Sequence, residues 1–79
     1  MKKNKEKEVQ PYKTKLADYL RLNIGAGYIR RVAKRADVAY TTAHRYFNTV
    51  VINEKVEIAA FEMKHEKELE LAKKLEEAS

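Results

Sequence analysis

Arg30, Arg31, Lys34 and Arg35 place four cations and no acid within two helical turns. A solvated helix face ordinarily mixes both signs, so an unopposed basic set suits contact with a phosphate backbone. Shortly after come Thr41, Thr42, His44, Arg45 and Asn48, which supply hydrogen-bonding groups. Arg45 carries the most specific chemistry, because a guanidinium pairs bidentately with O6 and N7 of guanine. His44 can touch a phosphate or a base. Its only fellow histidine, His65, is far along the chain, and cysteine is absent. No metal site, disulfide or thiolate chemistry is expected. No Ser-His-Asp set is placed to meet, so no catalytic residues, no cofactor and no enzyme activity are expected. Asp18, Asp37 and the glutamates read as caps and solvated surface.

The elements that position these residues follow from apolar spacing. Ile29, Val32, Ala33 and Ala36 fall at i, i+3, i+4 and i+7, the stripe of a helix from about Tyr28 to Ala36. Asp37, Val38 and Ala39 break the period. A second short helix, about Tyr40 to Phe47, sets Ala43, Tyr46 and Phe47 against Thr41, His44 and Arg45. Two short helices joined by a three- or four-residue turn have the arithmetic of a helix-turn-helix. Tyr46 and Phe47 read as core against Leu16, Leu20 and Val56 rather than as base-stacking rings.

Before this pair, Pro11 suits the first turn of a helix, with Tyr12, Leu16, Tyr19 and Leu20 on one face and Ile24 near its end. Gly25 fits a left-handed C′ position and Gly27 the next N-cap. The Gly-Ala-Gly run follows a helix and lacks a third glycine, so it is no phosphate loop. After the pair, residues 49–52 read as a loop pinned into the core by Val51 or Ile52. Asn53 then caps a long helix reaching about Glu77, which docks through Val56, Ala59, Ala60 and Met63. The fold class expected is all-α: a small four-helix domain with an extended last helix.

The order Val32-Ala33, Ala36, Val38, Tyr40, Thr42, Arg45 and Asn48 resembles the DNA-binding head of the lactose-repressor (LacI/GalR) family. It is also similar to phage-repressor-like (Cro-like, XRE-type) domains. Glu54-Lys55-Val56-Glu57 resembles the opening of the next helix of that head, so the likeness spans Ile29 to Met63. The resemblance implies a lambda-repressor-like fold, with Tyr40, Thr41 and Arg45 at base-reading positions of the second helix. Tyr40 and Thr41 then meet a thymine methyl or a base edge, His44 lies beside them, and Thr42 and Asn48 face phosphate oxygens. Arg30, Arg31, Lys34 and Arg35, on the first helix, cross the backbone. Two positions depart from the family pattern. Asp37 stands where glycine is usual, at a position needing positive φ, and Ala39 stands where Ser or Thr normally caps the recognition helix.

Charge supports the same partner. Residues 1–50 hold twelve Lys or Arg against four Asp or Glu, a balance of +8, while residues 51–79 hold five against eight, a balance of −3. A basic half containing the helix pair suits double-stranded DNA. Residues 1–10 read as a basic disordered arm, residues 11–63 as the DNA-binding domain, and residues 64–79 as a charged helical extension. Glu70–Lys74 is the kind of pair that would solvate this extension. Ile58, Phe61, His65, Ala72 and Leu75 follow an approximate heptad with Leu69 adjacent, so a homodimer through Ile58, Phe61, Leu69, Ala72 and Leu75 is expected. A 79-residue chain leaves no room for a small-molecule effector domain. No apolar run approaches the roughly 18 residues of a membrane span. The sequence therefore implies a cytoplasmic, nucleoid-associated regulator of prokaryotic or phage type, acting as a repressor-like dimer. Two alternatives fit the same residues: a protein-interaction adaptor using the bundle and acidic helix, or an accessory factor in recombination or replication of a mobile element.

Overall fold

The computed structural model describes residues 10–78. The expected basic arm lies outside the described residues, except for Gln10, which precedes the first helix. Four helices follow: α1 (Pro11–Ile24), α2 (Tyr28–Ala36), α3 (Tyr40–Asn48) and α4 (Glu54–Ala78).

α1 starts on Pro11 in its first turn and buries Lys13, Leu16 and Leu20, with Ala17, Tyr19 and Ile24 partly buried against the core. Tyr12, expected on this face, keeps 42% of its surface exposed. Positions 13, 16, 20 and 24 keep the 3.6-residue period through the core, and Tyr12 falls to one side of it. The Gly25 N–H closes the helix on the Arg21 carbonyl at 2.9 Å. Gly25 has φ 92° and ψ −170°, an extended mirror conformation open essentially to glycine, rather than the left-handed cap expected. Gly27 is left-handed, with φ 89° and ψ 7°.

The α2–α3 turn is a Schellman motif. Asp37 lies in the left-handed region at φ 60°, ψ 48°. Its N–H donates to the Lys34 carbonyl at 3.2 Å, and the Val38 N–H to the Ala33 carbonyl at 3.0 Å. These are the two bonds that satisfy the last carbonyls of a helix ended this way. Asp37 thus adopts the positive φ that its place in the turn demands. Ala39 is extended at the start of α3 and provides no side-chain cap.

α4 is capped as expected: the Val56 N–H donates to Asn53 Oδ1 at 3.1 Å. Val56, Ala59 and Ala60 are its buried residues, and Met63 packs against the core. The core comprises Leu16, Leu20, Val32, Ala33, Ala43, Tyr46, Phe47, Val56, Ala59 and Ala60. Alanines on α2, α3 and α4 let the backbones approach closely. Every described residue from position 68 on is exposed, so α4 runs past the bundle and draws its longest dimension out to 52 Å. Along this extension Lys64 pairs with Glu68 at 2.7 Å and Lys67 with Glu70 at 3.0 Å. Glu70 therefore turns back to Lys67 rather than forward to Lys74.

The connection between α3 and α4 corrects the sequence reading. Val51 and Ile52 are 46% and 53% exposed, and neither pins the loop. Lys13 does so instead, through the backbone. Its Nζ donates to the carbonyls of Thr49 at 3.1 Å and Val51 at 2.9 Å. Carbonyls just past a helix end lack intrahelical partners, and the ammonium supplies them.

Candidate nucleic-acid interface

α3 divides cleanly. Ala43, Tyr46 and Phe47 are buried, while Tyr40, Thr41, His44, Arg45 and Asn48 are exposed and Thr42 is half-buried. The inward face is fixed by rings. Phe47 meets Tyr46 edge-on at 5.0 Å and Tyr28 of α2 at 5.7 Å. The Tyr46 hydroxyl donates to Glu57 Oε2 at 3.1 Å. Burial and this carboxylate raise the tyrosine well above its ordinary value, so it stays a neutral donor. Lys13 Nζ lies 4.5 Å from the Tyr46 ring centre. Burial lowers the Lys13 pKa, and the charge of Glu57 acts against that shift. α1 and α4 thereby hold α3 from behind, and its opposite face is free to meet a partner.

The four cations of α2 do not act as one set. Arg30 and Lys34 are one turn apart and share a face opposite the core. The Arg30 guanidinium carbon sits 5.8 Å from the Tyr40 ring centre, and the Tyr40 ring is 5.8 Å from that of His44. Arg30, Tyr40 and His44 therefore form a continuous strip from α2 onto the exposed face of α3. No side chain caps the N-terminus of α2.

Arg35 departs from the phosphate role expected of it. Its Nε donates to Glu62 Oε1 at 3.1 Å, and its Nη1 and Nη2 donate to the two oxygens of Glu66 at 2.9 and 2.5 Å. The planar fork of the guanidinium matches two carboxylates at once, so Arg35 clamps α2 to α4. The bonds from Arg35 hold the Glu66 carboxyl below its usual range. Arg31 is on the same side, where it lines a hollow of about 330 Å³ with Ile24, Met63, Glu66, Lys67 and Glu70. The acidic stripe of α4 thus takes Arg35 out of the basic set.

Asn48 is exposed, and its amide donates one N–H to the His44 carbonyl at 2.9 Å, which leaves the second N–H and the oxygen for an outside partner. Of the residues expected at a dimer seam, Ile58, Phe61, Leu69, Ala72 and Leu75 are all exposed. Ile58 and Phe61 stand on the side of α4 away from Val56, Ala60 and Met63. Among the described residues no group of three or more His, Asp or Glu could hold a metal ion, and no helix is long and apolar enough to cross a membrane.

Sequence reasoning missed Lys13 and the Arg35 clamp. The signal for the first was its place on the apolar period of Leu16, Leu20 and Ile24. For the second it was Glu62 and Glu66, four residues apart on one face of α4. No family model, no curated protein and no solved structure matches this chain.

Proposed function

We propose that this chain is a sequence-specific DNA-binding protein, a small repressor-like transcription regulator that lays α3 in the major groove. The observation that carries this reading is the division of α3. Its outward residues, Tyr40, Thr41, His44 and Arg45, are exposed beside Arg30 and Lys34, while the inward residues are locked into the core. The resemblance of residues 29–63 to the lactose-repressor head supports the same docking. Arg45 reads guanine, Tyr40 and Thr41 meet a thymine methyl or a base edge, and Lys34 neutralises a phosphate.

Nine residues of α3 span about 13 Å and cover only a few base pairs. A second copy supplies the second half-site, about one DNA turn away, so the preferred site is near-palindromic. The unpartnered apolar residues of α4, Ile58 and Phe61 at 54% and 43% exposed, suit that pairing. The same residues favour the second reading, an adaptor that binds another protein through α4.

Titration of labelled duplex at two salt concentrations tests the proposal, followed by selection of bound duplexes from a random pool. Tight, salt-dependent binding and enrichment of a two-fold symmetric site are expected. A folded protein that binds no duplex at low salt refutes DNA binding and leaves the adaptor reading.

A further inference from the structure

The strip that crosses from α2 to α3 gives Arg30 a role other than the one its charge suggests. We infer that Arg30 is a specificity-positioning residue. Its guanidinium, held over the Tyr40 ring, fixes where that ring stands on α3 and so sets the preference for the base pair that Tyr40 meets. This inference rests on the DNA-binding reading above.

Three observations converge on it. The Arg30 guanidinium carbon is 5.8 Å from the Tyr40 ring centre, within reach of the attraction between a cation and a ring face. On α3 itself Tyr40 has a contact with only one ring, His44, at 5.8 Å and tilted by 39°. A space of about 250 Å³ bordered by Gly27, Tyr28, Ile29, Arg30 and Tyr40 opens beside the ring. Tyr40 is in the first turn of α3 and no side chain caps that turn, so little else at its own helix end restrains it. Without Arg30 the ring has room to swing into that space and away from the base edge. A residue that only neutralises a phosphate weakens all sequences alike. A residue that holds a reading side chain changes which sequence is preferred.

The test is selection from a random duplex pool, with the full chain, for wild type, Arg30→Ala, Arg30→Lys, Tyr40→Ala, the Arg30→Ala/Tyr40→Ala double variant and Lys34→Ala. Lys34→Ala is the charge-matched comparison, one turn further along the same face. Circular dichroism establishes that each variant is folded. Arg30→Ala is expected to lose about two- to fivefold of its discrimination at one base pair of each half-site. That base pair is the one lost in Tyr40→Ala, and the double variant discriminates no less there than Tyr40→Ala alone. Arg30→Lys keeps the charge but not the planar guanidinium, and restores the preference only in part. Lys34→Ala keeps the preference, with uniformly weaker binding and a shallower salt dependence.

An Arg30→Ala variant that behaves like Lys34→Ala overturns the inference and returns Arg30 to a phosphate contact. So does additive loss in the double variant. If wild type enriches no sequence at all, the DNA-binding proposal itself has failed, a result distinct from either.

Discussion

Replacing Lys13 is the most direct probe of how this small fold aims α3. The ammonium is fully buried and is held by the carbonyls of Thr49 and Val51 over the Tyr46 ring. Lys13→Ala removes three buried methylenes, about 0.8 kcal/mol each, together with charge-assisted hydrogen bonds worth about 1.5–3 kcal/mol. Relief from burying a charge offsets part of that loss. The net cost expected is about 2–4 kcal/mol, from a total of roughly 4–12 kcal/mol for a domain of this size. In a thermal melt this lowers Tm by roughly 10–25 °C. Lys13→Met keeps the stem but leaves the two carbonyls without their donor, so it is expected to cost less than Lys13→Ala, about 1–2 kcal/mol.

The pH dependence of that pair has a definite sign. The folded pKa of Lys13 is below its ordinary 10.5 because burial disfavours the charged form. Between the folded value and 10.5 the unfolded chain binds the proton more readily, so wild type gains stability relative to Lys13→Met as pH rises through that window. Tyr46 and Tyr28, whose pKa values burial raises, contribute the opposite slope above pH 10, so the comparison is read below that pH. Urea midpoints across the alkaline range measure the difference. A Lys13→Ala protein that melts with wild type, or a wild-type advantage that shrinks with rising pH, would refute the account of Lys13 as a buried cationic pin.

Arg45→Ala is expected to cost about 1–3 kcal/mol on the preferred site and to blur one position of it; competition between matched and single-substituted duplexes reads both. Ala39→Ser places a hydroxyl at the uncapped start of α3, where the extended backbone already suits an N-cap, and should stabilise the fold by about 1 kcal/mol in urea denaturation. The Arg35 clamp keeps Glu66 ionised below its ordinary value of 4.5. Its contribution is therefore present above 4.5 and lost as pH falls through the lower folded value. Glu66→Gln should consequently be less stable than wild type at neutral pH, with the gap closing in acid; a gap independent of pH would show that the ion pair does not carry it.

Much of this architecture is legible in the sequence because short helices are local objects. The stripe Ile29, Val32, Ala33, Ala36, the proline at position 11, the glycines at 25 and 27 and the cap at Asn53 each act within one or two turns. They settle the four helices and the turn between the second and third. The positive φ of Asp37 is what the resemblance to the lactose-repressor head implies, and the backbone adopts it. Which face of α3 is free was legible too, since Ala43, Tyr46 and Phe47 share one side of a single helix.

What remained hidden depends on residues far apart in the chain. Arg30, Arg31, Lys34 and Arg35 look equivalent in sequence, all basic and all off the apolar stripe. Only the packing of α4 across α2 separates them, because Glu62 and Glu66 come within bonding distance of Arg35 and not of Lys34. Lys13 reads as an ordinary surface lysine until the α3–α4 connection presents two carbonyls with no helical partner. Val51 and Ile52 look like core residues until that same lysine holds the loop by its backbone and leaves their side chains outside. The chain's own periodicity determined where the helices lie and which side of each is apolar. Tertiary structure alone decided which charges stay free, because a charge's partner is set by distance in space, and that distance exists only once the helices have packed.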